Sequence, residues 1–331
     1  MTRNVLVTGG AGYIGSHTCK ALAAAEYVPV VLDNLSAGHA WAVKWGPFVK
    51  GDINDVELLS QTIKQFDIKA TIHFAAFAYV GESVNEPRKY FQNNVSNTLV
   101  LLNTLLDRGV KKFVFSSSCA TYGVPNVLPI TEEHAQNPIN PYGESKLFAE
   151  RILESYDSAY DLRYACLRYF NAAGADPEGE LGEDHNPETH LVPLVIAAAL
   201  GQRSTIEIFG TDYDTKDGTA VRDYVHVNDL ADAHVKALNH LLAGGQSLKV
   251  NLGTGQGHSI RDVILAVEAV SQRPVRVTEG PRRPGDPPSL IANPNLGQTL
   301  LNWKPLRSDL GTIVQTAWQW HRKRNGLADL G

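Results

Sequence analysis

Cysteine is scarce in this chain of 331 residues: Cys19, Cys119 and Cys166 make an odd count without paired short spacing. They leave no basis for a disulfide framework or a thiolate-built structural zinc site, which suits a reducing compartment. Basic runs are also missing. The formal net charge is −5 and the pI near 6.1, so the chain carries no electrostatic footprint for nucleic acid. No apolar stretch spans a bilayer uninterrupted, and membrane association is not expected. Met1 runs directly into an expected strand, Asn4 to Thr8, which leaves no room for a signal peptide; a cytoplasmic location is the expectation. Internal repeats and low-complexity segments are absent. What remains is ordinary globular composition, 43% apolar and 20% charged, in a length that suits one large or two medium domains.

The first half alternates short β-rich runs with helical patterns. Val5 to Val7, Val28 to Leu32, Ala70 to Phe74, Lys112 to Phe115 and Arg163 to Leu167 read as strands. Helices are expected between them at Tyr13 to Ala25, Asp55 to Gln65, Pro87 to Arg108 and Pro141 to Tyr156. That order predicts βαβ units and a parallel sheet. From Asp176 to His190 the pattern turns irregular and rich in Gly, Pro, Asp and His, the character of a domain boundary or substrate loop. Beyond it, helices are expected near Leu191 to Leu200, Val227 to Leu242, Ile260 to Ser271 and Leu310 to His321. Short strands are expected near Ile206 to Phe209, Val221 to Val225 and Lys249 to Leu252.

Gly9, Gly12 and Gly15, in Thr8-Gly-Gly-Ala-Gly-Tyr-Ile-Gly15, fall between the first strand and the first helix. Glycines there let backbone amides approach a pyrophosphate at a helix amino terminus. Asp33 ends the second strand, where an acid hydrogen-bonds ribose hydroxyls and repels a 2′-phosphate, so NAD is expected over NADP. The pattern is that of a Rossmann-type, doubly wound α/β fold. Asp52 either faces the adenine or caps the helix that follows.

Tyr142 and Lys146, four apart in Pro141-Tyr-Gly-Glu-Ser-Lys, share a helix face. An ammonium near the phenol would favour the phenolate and make Tyr142 a base beside a bound nicotinamide. The same stripe continues through Ala149, Ile152, Leu153 and Tyr156, so simple packing of Tyr142 is the competing reading.

With these residues, the chain resembles the UDP-glucose 4-epimerase (UDP-galactose 4-epimerase) family of the extended short-chain dehydrogenases/reductases over essentially its whole length. Val80-Gly-Glu-Ser, Ser116-Ser-Ser, Tyr122-Gly, Arg168-Tyr-Phe-Asn, Phe209-Gly-Thr-Asp-Tyr, Arg222-Asp-Tyr, Asn251-Leu-Gly-Thr-Gly and Arg283-Pro-Gly-Asp carry the likeness. The resemblance implies Tyr142 as base, Lys146 as its electrostatic partner and Ser118 as the hydroxyl on the sugar's reacting oxygen. Around NAD it implies the backbone at Tyr13 and Ile14, then Asn34, Asp52, Ile53, Phe74, Ala75, Asn93, Ser116 and Tyr169, beside Asp33 and Lys146. For a UDP-sugar it implies Asn171, Arg222 and Arg283 at the diphosphate, and Asp286 at the ribose. His190, Leu191, Ile208, Phe209, Tyr224 and Leu290 would line the remaining substrate site. An NAD-binding domain over 1–175, completed by parts of 221–255, and a smaller mixed α/β UDP-sugar domain over 176–331 follow from it, as does a homodimer paired through helices.

Two positions depart from the family. Ala78, followed by Tyr79, stands where a lysine usually contacts the cofactor, and this segment also resembles members acting on UDP-pentoses. Leu290 is intermediate in size at the position that helps admit or refuse an N-acetyl group. A nucleotide-sugar dehydratase is disfavoured because Cys119 and Ala120, not an Asp-Glu pair, follow Ser118. An NAD sensor on a dead reductase fold is disfavoured because Tyr142, Lys146 and Ser118 are all present. Net oxidation or reduction of the sugar differs from epimerisation only in accumulating NADH.

Overall fold

The computed structural model describes residues 3–283 and 286–327. Strands β1 (Asn4–Thr8), β2 (Val28–Asp33), β3 (Phe48–Lys50), β4 (Ala70–His73), β5 (Lys112–Ser118) and β6 (Arg163–Tyr169) form a parallel sheet with a seventh strand, Leu248–Leu252. The spatial order is Leu248–Leu252, β6, β5, β4, β1, β2, β3, so the chain reverses direction across the sheet between β1 and β4. Ligands of such sheets bind at the carboxyl ends beside that reversal.

Alternation along the strands fixes the two faces. Val5, Val7, Val31, Ile72, Val114, Leu167 and Val250 meet Leu22 of α1 (Tyr13–Ala24) and Leu230 and Leu238 of the helix Val227–Leu242. Their neighbours Leu6, Leu32, Phe113, Phe115 and Cys166 point the other way. They meet Leu59 of α2 (Val56–Gln65), Leu101 and Leu105 of α5 (Thr98–Asp107), and Leu153 of α6 (Pro141–Tyr160). Between α2 and α5 lie the short helices α3 (Val80–Asn85) and α4 (Pro87–Phe91). A separate core gathers Val192, Val195, Ile196, Ile208, Tyr224, Val263, Val267, Ile313 and Trp318. It is built on the helices Leu191–Ala199, Ile260–Ser271 and Leu310–Arg324 and the paired strands Ile206–Phe209 and Val277–Gly280.

Three expectations are corrected. The expected helix from Pro87 to Arg108 is interrupted by a π turn over Gln92–Asn97. The strand expected at Val221 to Val225 breaks at Asp223. There the chain passes from pairing with Ser289–Leu290 to pairing with Asn171–Ala173, and the buried Asp223 carboxylate accepts the amides of Thr254, Gly255 and Ala292. Asp55, not Asp52, caps α2, accepting from Leu58 N at 3.0 Å. Asp52 accepts from Asn34 Nδ2 at 2.8 Å instead. Among the described residues no helix is long and apolar enough to cross a membrane. The pair Pro284 and Gly285 of the Arg283-Pro-Gly-Asp motif lies outside the described residues, as do the first two and last four residues of the expected domains.

Candidate active site

The glycine loop is dictated by steric room. Gly9 has φ +73°, and a Cβ there would stand 2.5 Å from Ala75 N; a Cβ on Gly15 would stand 2.3 Å from Gly9 O. At Gly12 the only such contact is Gly9 O at 3.3 Å, so this glycine keeps space open outside the loop. The amino end of α1 has no side-chain cap and no acid in its first turn, leaving the end of its dipole available to an anion near Tyr13 and Ile14. Asp33 is buried at the end of β2. Its Oδ2 accepts from Ala11 N at 3.0 Å and its Oδ1 from Leu35 N at 2.8 Å. Burial raises its pKa, while those two amides oppose the rise. Phe74 and Ala75 follow β4 against the loop, and Ile53 is buried beyond β3.

On the other side of the reversal, β5 carries Ser116 and ends in Ser118. The expected strand to Phe115 is three residues longer, so Ser118 is its last member, and its Oγ also caps the following turn by accepting from Ala120 N at 3.1 Å. Asn140 caps α6 by accepting from Gly143 N at 2.9 Å, and Pro141 opens its first turn, which fixes Tyr142 and Lys146 at the start of the helix. Lys146 is buried and donates to Ser116 O at 2.8 Å; its Nζ lies 5.8 Å from the Tyr142 ring centre. Burial lowers the Lys146 pKa to about 7, against the opposing charge of Glu150. Burial also pushes the Tyr142 phenol up to about 12, and a hydrogen bond with Ser118 opposes this. In the chain by itself, desolvation is the largest influence on the Tyr142 phenol. Tyr169 and Ser116 join their hydroxyls beside this group. Asn93 is half-buried on the π turn and donates to Asn94 Oδ1 at 3.0 Å.

The remaining expected residues lie on and around the small strands and the separate core. Asn171 N donates to Asp223 O at 3.0 Å, Arg222 pairs with Asp286, and Arg283 lies over the Phe209 ring, 4.0 Å from its centre. Leu290 pairs with Arg222 in register; Ile208 and Tyr224 are buried in the separate core, and Leu191 packs against it. His190 precedes the helix Leu191–Ala199 and meets Glu183 and Glu188.

The glycine cradle and the serine–tyrosine–lysine group both lie within the stretch that matches a family model. Residues 5–253 match the NAD dependent epimerase/dehydratase family. The chain belongs to that family. It is 53% identical over 322 residues to a UDP-glucose 4-epimerase of Rhizobium meliloti (strain 1021), covering 97% of this chain and 98% of that protein. The crystal structure of UDP-glucose 4-epimerase from Brucella ovis in complex with NAD superposes with a TM-score of 0.94 at 55% identity, covering 96% of this chain and 98% of that one. A UDP-glucose-4-epimerase from Stenotrophomonas maltophila, with bound NAD and formylated UDP-arabinopyranose, superposes with a TM-score of 0.95 at 39% identity, covering 98% of this chain and all of that one.

Around the site of this epimerase/dehydratase family member lie polar residues that sequence reasoning missed. Glu150, one helical turn beyond Lys146 and fully buried, accepts from Arg168 Nε at 2.9 Å, Ser117 Oγ at 2.6 Å and Gln136 Nε2 at 3.1 Å. Arg168 also donates to Tyr122 OH, which donates to Asn251 Oδ1. Its place at i+4 from Lys146 was the one signal available. Asn94 bridges the Phe77 backbone and Ser145 Oγ. Burial opposes charge on His185 and His190, yet Glu183 and Glu188 prevail and raise them to about 9 and about 10.

Proposed function

We propose that this chain interconverts UDP-glucose and UDP-galactose with NAD retained between turnovers. The observation that carries the reading is the placement of Ser118 at the end of β5 beside Tyr142 and Lys146 at the start of α6, at the carboxyl edge of the sheet that also carries the glycine cradle. The cradle fits a dinucleotide because its glycines leave backbone amides uncovered, and Asp33 is held by Ala11 and Leu35 facing the place of an adenosine ribose. When bound, NAD would supply the acceptor and donor of hydride for the sugar's C4, and its positive charge would favour the Tyr142 phenolate. Tyr142 then takes the proton of the C4 hydroxyl while Ser118 hydrogen-bonds the same oxygen, and Lys146 holds the electrostatics of the pair from its perch on Ser116. The 4-keto sugar, anchored by its nucleotide, turns over and is reduced on its other face. Arg222, Arg283 and Asn171 take the diphosphate, since arginine's planar fork suits phosphate oxygens. Asp286 takes the ribose.

In this reading residues 1–175, completed by parts of 221–255, hold NAD and residues 176–331 hold the UDP-sugar. The active form is a cytoplasmic homodimer paired through α5 and α6, supported by the exposure of Leu99, Phe148 and Tyr160 on those helices. Conversion of UDP-galactose without added NAD, abolished by Tyr142→Phe, tests the reading; no conversion by NAD-containing protein refutes it. A second reading, the same epimerisation on a UDP-pentose, is favoured by Ala78-Tyr79, the Tyr79 ring lying 6.3 Å from the ring of His190. Parallel turnover of UDP-galactose, UDP-xylose and UDP-N-acetylglucosamine separates these substrates.

A further inference from the structure

Glu183, His185, Glu188 and His190 bring one donor atom each to within 4.8 Å of one another, on a segment the proposed reaction does not use except at His190. Nδ1 of His185 lies 3.2 Å from a Glu183 oxygen and 3.6 Å from a Glu188 oxygen. Nδ1 of His190 lies 2.8 Å and 2.9 Å from oxygens of the same two carboxylates. Two nitrogens and two carboxylates therefore converge on one point. Donors at about 2.1 Å around a tetrahedral ion stand about 3.4 Å apart, and these separations straddle that value. The buried Nδ1 of His185 makes no hydrogen bond despite its neighbours. It meets the two carboxylates as an ion pair without hydrogen-bond geometry.

We infer that this cluster is a binding site for one divalent transition-metal ion, of which Zn²⁺ best matches a donor set of two imidazoles and two carboxylates. The scarcity of cysteine excludes a thiolate site and has no bearing on this one. His190, with 39% of its side chain exposed, leaves an entry path. By contrast, the nearby carboxylates of Asp176, Glu178 and Glu180 already surround Lys20 Nζ at 2.9, 2.6 and 2.8 Å, so that cluster is filled by an ammonium. The edges of Tyr13 and Tyr79 meet the His185 ring, with centres 6.2 and 6.0 Å away, and Trp320 Nε1 donates to Glu183 O at 3.2 Å. An ion here would fasten the segment leading into Leu191–Ala199 to the start of α1, tying the UDP-sugar side to the cofactor loop.

The test is to strip the NAD-loaded protein with chelator and titrate it with Zn²⁺ by calorimetry and with Co²⁺ by visible spectroscopy. The expected result is about one ion per chain with the intense visible bands of tetrahedral Co²⁺, weakened roughly 100-fold or more in both Glu183→Gln and His185→Gln. Glu178→Gln should leave the bands unchanged. Circular dichroism and NAD content verify each variant's fold, and if one variant misfolds the other decides. Absence of stoichiometric binding to the parent protein, or binding that survives in a folded Glu183→Gln or His185→Gln variant, overturns the inference.

Discussion

Alanine at Gly12 and alanine at Gly15 should fail in different ways, although both fall in one short loop. At Gly15 the new methyl would lie 2.3 Å from Gly9 O and 2.9 Å from Gly10 Cα, both backbone atoms. Reaching an ordinary contact of about 3.4 Å requires α1 and the loop to part by about 1 Å, a strain of roughly 1–3 kcal/mol in a packed core. At Gly12, with φ −81° and ψ 177°, the backbone accepts any L-residue, and the nearest atom would be 3.3 Å away. Gly12→Ala should therefore unfold at nearly the parental temperature when free of cofactor. Its methyl would still stand where the pyrophosphate must approach the helix end, and it should retain less than about a tenth of the parental NAD, a loss of roughly 1.4 kcal/mol or more in binding. Gly15→Ala should lose both stability and NAD. Bound NAD is counted after acid release, and stability is measured by urea unfolding of the stripped proteins. Full NAD content in Gly12→Ala, or parental stability in Gly15→Ala, would refute the steric reasoning.

Tyr142→Phe should lower kcat by roughly 10²–10⁴-fold while leaving NAD content unchanged, the signature of a lost proton acceptor; a KM effect alone would contradict that role. Removing the Glu150 carboxylate as Glu150→Ala should cost about 3–5 kcal/mol in urea unfolding, because Arg168 is left buried and unpaired, whereas Glu150→Leu combined with Arg168→Met should recover much of it. Arg222→Lys loses the planar fork and should raise KM for the UDP-sugar with little change in kcat, as read from initial rates. Acid should destabilise the fold through four buried histidines: burial lowers His73 to about 3 and His17, His226 and His234 to about 4. Their folded pKa values lie below the usual 6.5, so the unfolded chain protonates first as pH falls. Stability that is complete above pH 6.5 should then erode, by about 2 kcal/mol per histidine at pH 5. Equal urea midpoints at pH 7 and pH 5 would sink this account.

The sheet was legible because its strands obey simple periodicity: Val5, Leu6 and Val7 alternate between two cores, and glycines punctuate the turn that follows. The cofactor loop and the Tyr142–Lys146 pair were legible because short-range spacing determines them. What spacing does not encode is where a buried polar group finds its partners. Asp223 stands where a run that reads as one strand changes partner from Ser289–Leu290 to Asn171–Ala173, and amides from Thr254, Gly255 and Ala292, distant in sequence, converge on its carboxylate. Glu150 reads as one more charge on α6 until Arg168, on the adjoining strand, is seen to claim it. The burial of Tyr142 is hidden for the same reason: a lysine four residues on suggests proximity, but the desolvation that raises the phenol comes from the surrounding fold.

The π turn at Gln92–Asn97 changes what one stretch of chain can serve. An extra residue within a helix rotates everything after it by about 100° about the axis. Tyr90 and Asn94 thereby face the loop that carries Phe77 and Tyr79, while Leu101, Leu102 and Leu105, only a few residues later, are turned into the sheet's core. A regular helix would offer a single stripe and force one of these duties onto another segment. The insertion thus acts as a gear between two faces: substitutions on the Tyr90–Asn94 side can retune the site while the leucine side keeps its registration with the sheet.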